Sequence, residues 1–158
     1  RSKKMKIQKI LFLAISLSST AFADNLTVKL TNISDTEGHI LVGLHNQKTS
    51  YEVMGTLLDN EEVEFNPVAY KKLKPILGEM QIHFNNIQPG MYAVDALHDQ
   101  NDDGTLNRAI WPMTGSPSEP YGISNSAWNF FSKGDYEDAL FQVNGDTEIT
   151  VKVKYHFE

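Results

Sequence analysis

Short runs that alternate apolar and polar residues set the tightest limit on what this chain can fold into. Leu26, Val28 and Leu30 alternate with Thr27, Lys29 and Thr31. A period of two puts the two sets on opposite faces of a strand, so residues 25–31 read as a half-buried strand. After the turn-rich stretch Asn32 to Gly38, His39 to His45 reads as a second strand, antiparallel to the first, in which Gly43 marks a bulge or a close backbone approach. Pro67 to Leu77 carries Lys71, Lys72 and Lys74 and reads as a solvated edge strand. Met80, Ile82 and Phe84 alternate with Gln81, His83 and Asn85, and a Pro89-Gly90 turn follows. Met91 to His98 is apolar on both sides, as a central strand is. Tyr136 to Val143 and Thr147 to Tyr155 flank Asn144-Gly145, a hairpin turn signal. Residues 46–66 stay open between a short helix over Ser50–Leu58 and an extended excursion. About seven short strands and no long amphipathic helix predict an all-β fold, a single antiparallel β-sandwich.

The start of the chain has a different character. Arg1, Lys3, Lys4, Lys6 and Lys9 precede the short apolar run Ile10 to Leu17, and Ala21-Phe22-Ala23 offers small residues at the two positions a signal peptidase reads. This pattern predicts a secretory signal peptide over residues 1–23, with Met5 as the natural start and residues 1–4 as upstream extra. The folded domain is then 24–158. Five of the 14 basic residues and none of the 20 acids precede Asp24, so this part carries nine bases against 20 acids. So acidic a surface repels nucleic acid and anionic lipid. No Cys is present, so neither a disulfide nor a lipid-attachment thiol enters the reading. The expected location is the periplasm or the exterior, as a soluble protein with no membrane insertion after cleavage.

The stretch His98 to Asn107 carries the most specific chemistry. Asp99, Asn101 and Asp103 occupy the first, third and fifth places of a loop, Gly104 the sixth, Thr105 the seventh and Asn107 the ninth. Oxygen donors at alternate places around a glycine suit a hard cation such as Ca²⁺. Ile110 stands twelfth, where an EF-hand needs a bidentate Glu, so another oxygen must come from elsewhere, with Glu119, Asp135 and Asp138 as candidates. The expected cofactor is therefore Ca²⁺, held by Asp99, Asn101, Asp103, Thr105, Asn107 and Glu119. Residues 107–135 hold Trp111, Tyr121, Trp128, Phe130 and Phe131 among several Pro and Gly, which predicts a long ordered loop layer over the sandwich. Those aromatics are either a small core beneath the loop or a ligand platform, in which Trp111, Tyr121, Asn125 and Trp128 would meet a glycan or a protein.

The run His98-Asp99-x-Asn101-x-Asp103-Gly104-x-Leu106, followed by Pro117-x-Glu119-Pro120-Tyr121-Gly122-x-Ser124-Asn125 and Asp138-Ala139-Leu140-Phe141, resembles an uncharacterised exported bacterial family, a domain of unknown function. The likeness extends from Leu26 to Tyr155, with Ile123 standing where that family usually has Phe. The resemblance implies a transthyretin-like or immunoglobulin-like sandwich and an exported location. It also implies that Asp99, Asn101, Asp103, Glu119 and Asn125 share one site. It implies no activity.

Catalytic signatures are sparse. No HxH or HExxH spacing occurs among the five histidines, no Ser sits in GxSxG and no Cys is present to act as a nucleophile. His98 beside Asp99 is the one candidate base–orienter pair. The expectation is a binding module of unknown ligand whose loop layer is ordered by Ca²⁺. The alternatives are a structural or adhesion-type interaction domain docking through a strand edge, and a small metal-assisted hydrolase.

Overall fold

A computed structural model describes residues 24–53, 66–108, 117–128 and 133–155. The expected signal peptide, Ile110, Trp111, Phe130, Phe131 and His156 lie outside these residues. The elements in order are strands β1 (Asp24–Ile33) and β2 (His39–His45), helix α1 (Lys48–Val53), strands β3 (Ala69–Leu73), β4 (Gly78–Ile87), β5 (Gly90–Asp99) and β6 (Tyr121–Ile123), helix α2 (Tyr136–Ala139), and strands β7 (Phe141–Val143) and β8 (Thr147–Lys152). A 3-10 turn, Ser124–Ser126, follows β6 directly. No helix among the described residues is long and apolar enough to cross a membrane.

Two sheets face each other. One has the order β4-β1-β8; the other has the order β3-β2-β5-β6, with β7 paired to the first residues of β5. Alternation decides what fills the space between them. Leu26, Val28 and Leu30 from β1, Ile40, Val42 and Leu44 from β2, Met80, Ile82 and Phe84 from β4, and Tyr92, Val94 and Ala96 from β5 form one buried cluster with Val143, Val151 and Val153. Fully burying each such side chain stabilises the fold by about 1.5–3 kcal/mol before chain entropy is counted. The opposite face of β5 is buried as well. Ala93 packs with Tyr51, Tyr121, Ile123 and Ala139, and Leu97 packs with Leu41 and Leu106. Segments outside the two sheets thus cover the outer face of β5, as the apolar run on both sides of that strand predicts.

The sandwich is all-β, but it departs from the expected pairing in several places. It is not wholly antiparallel: β1 and β8 run parallel, with Leu26 opposite Thr147 and Val28 opposite Ile149. β2 does not pair with β1; it lies in the other sheet between β3 and β5. The stretch expected as one strand over Tyr136–Val143 begins as the four-residue helix α2, with Glu137 and Asp138 in its first turn, and only Phe141–Val143 is strand. Carboxylates near a helix N-terminus suit its unpaired N–H groups, and this local preference outweighs an alternation of few residues. Asn144-Gly145 is a turn, with Gly145 at φ +83°, but it carries the chain from β7 on one sheet to β8 on the other, so no hairpin forms. α1 starts at Lys48 and is described to Val53; the remainder of the helix expected to Leu58 lies outside the described residues. Among the described residues β3 is an edge strand, as its lysines suggest, paired only with β2. Gly43 marks a close approach: a Cβ there would lie 2.7 Å from an Asp95 carboxylate oxygen.

Candidate functional site

β5 ends at Asp99 and releases the chain into a loop folded around its own carboxylates. The buried Asp99 side chain accepts the backbone N–H of Asp103 at 3.1 Å and of Gly104 at 2.8 Å. Asp103 accepts the Thr105 backbone N–H at 2.9 Å, the Thr105 hydroxyl at 2.7 Å, the Asn101 amide at 2.9 Å and the Asn107 amide at 3.0 Å. These donors, Asn107 first and then Thr105, hold the Asp103 carboxyl well below the usual carboxylate range. Asx-type bonds of this kind let a short polar loop turn without a sheet partner. Asp102, in left-handed backbone with φ 62°, points the other way and ties the loop to the second sheet through Lys72 on β3 and His39 on β2.

Glu119 brings a carboxylate to this loop from a separate segment. It lies just before β6, is buried, and accepts the backbone N–H of Gln100 and of Asn107, each at 3.0 Å. Burial pushes its carboxyl up, and the N–H donors of Asn107 and Gln100 oppose that rise. The side chains of Asp99, Asn101, Asp103, Thr105 and Asn107 are thus brought into one hydrogen-bonded cluster that Glu119 closes from behind. Among the described residues no group of three His, Cys, Asp or Glu forms a metal cluster. A cation held here would draw on the amide oxygens of Asn101 and Asn107 and on the Thr105 carbonyl as much as on carboxylates. Each Asp99 oxygen accepts one of these bonds and keeps a second lone pair, whereas both Asp103 oxygens already accept two, so an ion at Asp103 would have to displace donors such as the Asn101 and Asn107 amides.

Asn125 does not join that cluster. Its amide donates to the Leu140 carbonyl at 2.7 Å and to the Asp138 carbonyl at 3.2 Å, clamping α2 to the 3-10 turn. Beside it the buried Ser124 hydroxyl donates to the Ala139 carbonyl at 2.6 Å and accepts the Val94 N–H at 3.0 Å. Tyr121 is buried in the cluster under the loops, whereas Trp128 is only partly buried against it. His98 does not orient on Asp99. It is buried on the inner face, with Nδ1 2.8 Å from the Tyr155 hydroxyl and Nε2 2.8 Å from the Glu37 carbonyl. The two residues are neighbours in a strand, so alternation sends them to opposite faces.

A second polar cluster was not anticipated. His45 lies between Ser50, 2.7 Å from Nδ1, and Asp95, 3.1 Å from Nε2; Lys133 donates to the other Asp95 oxygen at 2.8 Å. His45 and Asp95 are buried, and Tyr51 covers them, with the Lys133 ammonium 3.7 Å from its ring centroid. Burial pushes the Asp95 carboxyl up, but Lys133 and then His45 outweigh it, and the carboxyl is held below its usual range. The signal available in the sequence was a single Asp between Ala93 and Leu97 in a strand apolar on both faces, because a buried charge needs partners. Near this cluster, Ser126, Ala127, Trp128, Gly134, Asp135 and Asp138 line an open concavity of about 280 Å³. Asp135 and Asp138, considered above as ion ligands, belong to this concavity.

A family model described as "Uncharacterized protein conserved in bacteria (DUF2141)" matches residues 28–151, which runs from β1 into β8. No curated protein and no solved structure matches the chain.

Proposed function

The chain belongs to this uncharacterised bacterial family, and we propose that it is an exported, soluble binding module in which Ca²⁺ orders the loop after β5. The observation that carries this reading is the convergence of Asp99, Asn101, Asp103 and Asn107 on one loop interior, with Glu119 arriving from a separate segment to bond both ends of that loop. A loop that only turned the chain would need one or two Asx bonds. This one commits five oxygen-bearing side chains, two of them carboxylates facing into the loop. Hard-cation loops are built from oxygen donors at alternate positions, with a glycine at the sharp turn, and Gly104 has φ +81°. The ion would fix the chain where it leaves β5 and, through Glu119, where it returns into β6. It would thereby hold the loop layer that meets the ligand.

The test is a Ca²⁺ titration of chelator-treated protein, followed by calorimetry and by melting temperature. Saturable binding that raises the melting temperature, weakened at least tenfold by Asp99→Asn or Asp103→Asn, is the expected result. An unchanged melting temperature at millimolar Ca²⁺ would refute the metal role. The second reading, docking of a protein strand, rests on β3, which ends the strand order of its sheet among the described residues, with Val68 just before it and Tyr70 on it partly exposed. Chelator-insensitive capture of a partner, lost on Tyr70→Lys, would favour it.

A further inference from the structure

We propose that Asp95 works as a proton-operated latch: when the His45 ring takes up a second proton, His45 replaces Lys133 as the counter-ion of Asp95, and the Lys133 side chain moves out to solvent. The cluster is separate from the loop at Asp99, so the latch is independent of the Ca²⁺ titration. Four segments meet at this carboxylate. His45 comes from β2, Ser50 from α1, Asp95 from β5 and Lys133 from the segment before α2. One Asp95 oxygen lies 3.1 Å from His45 Nε2, and the other accepts from Lys133 at 2.8 Å. Gly43 keeps the first contact clear, since a Cβ there would lie 2.6 Å from Nε2 and 2.7 Å from the Asp95 oxygen.

The imidazole can carry one proton or two without losing a bond. An ionised Asp95 only accepts, so Nε2 carries a proton in either state. Nδ1 lies 2.7 Å from the Ser50 hydroxyl, a group that donates to a bare nitrogen and accepts from a protonated one. With one ring proton the cluster is balanced, one carboxylate against one ammonium. A second ring proton puts two cations on one buried carboxylate, and an uncompensated buried charge is costly. Relief comes from the cation that can reach water. The His45 side chain is fully buried, whereas that of Lys133 is 17% exposed. Burial pulls the Asp95 carboxyl up, but Lys133 and His45 hold it below its usual range, so it remains an acceptor. The other titratable groups here leave this balance unchanged. Tyr51 stands edge-on to the His45 ring with Tyr136 against it, and Tyr70 lies opposite Gly43 on β3. Burial pushes all three phenols up, so they stay neutral. Asp135 and Asp138 bear on the cluster through Tyr51, and on α1 the exposed Lys48 and Glu52 pair with each other at 3.8 Å. Asp95 and Lys133 also wall a cavity of about 20 Å³ with Leu97, Leu106, Tyr121 and Ile123. Departure of Lys133 widens that cavity on the outer face of β5.

An NMR titration of the isotope-labelled full chain from about pH 8 to 5, the range in which imidazoles take up protons, tests the latch. Two signals are followed. One is the His45 ring; the other is the Lys133 Hε protons, which the Tyr51 ring shifts because the ammonium sits 3.7 Å from its centroid. The expected result is that His45 charges in this range and that the Lys133 signal loses its ring shift with the same midpoint. In His45→Gln, which keeps hydrogen-bonding groups but cannot charge, the Lys133 signal should stay fixed. Ser50→Ala removes the partner of Nδ1 and should move both midpoints together, which gives a second comparison if His45→Gln does not fold. A His45 ring that stays uncharged to the acid end in folded protein overturns the proposal. So does a Lys133 signal that stays still while His45 charges, equal movement in His45→Gln, or midpoints that separate in Ser50→Ala.

Discussion

The Glu119 carboxylate accepts the backbone N–H of Asn107 at 3.0 Å, joining the end of the acidic loop to the segment that enters β6, twelve residues later. Its other oxygen holds Gln100 at the loop's beginning. One buried side chain therefore fixes both ends of the loop. Glu119→Ala leaves two partly buried N–H groups without an acceptor and is expected to destabilise the protein by about 2 kcal/mol, within the range for an unsatisfied buried donor. Urea denaturation would measure this, and a change under about 0.5 kcal/mol, the size of an ordinary surface effect, would contradict it.

The same loop is sterically tied to the turn before β2. Gly38 has φ +61°, and a Cβ on it would lie 1.9 Å from the Asp99 carbonyl oxygen. Gly38→Ala must therefore displace either the turn or the Asp99 backbone. The expected loss is about 2 kcal/mol or more, combining overpacking with the left-handed backbone. Amide shifts of residues 99–107 should move with it; shifts confined to residues 36–40 would place the strain elsewhere.

Acid should loosen this loop. The Asp103 carboxyl is held well below its ordinary value of 3.8 by the Asn107 and Thr105 donors, so the fold favours the ionised form. That contribution is complete above the unfolded value and is lost as pH falls through the lower folded value. Asp102 shifts in the same direction, chiefly through Lys72. The Thr105 and Asn107 amide resonances should therefore hold constant through the ordinary Asp value of about 4 and move only at distinctly more acidic pH. Asp103→Asn should abolish that movement.

Charge in the second cluster is mutually dependent. Asp95→Asn leaves the Lys133 ammonium beside a neutral amide beneath Tyr51. Breaking a buried pair costs about 3–5 kcal/mol, and about 3 is expected because Lys133 keeps some solvent contact. Lys133→Met should cost less, since His45 still faces Asp95. Denaturation of both variants and of the double variant gives the coupling energy, and a coupling near zero would show the pair to be incidental.

Trp128→Ala separates core from platform. Trp128 is partly buried against Tyr121, Ile123 and Ala139 and carries Lys154 on its ring. A loss of about 2 kcal/mol is expected, below the 3–5 typical of a fully buried Trp. Asp135→Asn/Asp138→Asn, at the same cavity, should leave the melting temperature unchanged. A Trp128→Ala protein of full stability would make the residue purely a surface platform.

Much of this was legible in the residues themselves. Alternation in Leu26–Thr31 and Met80–Asn85 fixed which side chains face the core, because a strand's period is set by backbone geometry alone. The two apolar sides of Met91–His98 announced a strand covered on both faces. The spacing of Asp99, Asn101, Asp103 and Asn107 announced oxygen-bearing side chains gathered on one short loop, since their contacts span only a few residues. Pairing was a different matter. Nothing local distinguishes β2 beside β1 from β2 beside β5, nor tells that Asn144-Gly145 crosses between sheets, because partner choice depends on how all the strands bury their apolar faces together. The same holds for the sites. Only the tertiary structure brought Glu119 rather than Asp135 or Asp138 to the loop and closed Ser50, His45, Asp95 and Lys133 into one buried network. These contacts join residues up to 50 apart in sequence, and their energy exists only once the sheets have fixed where each strand ends.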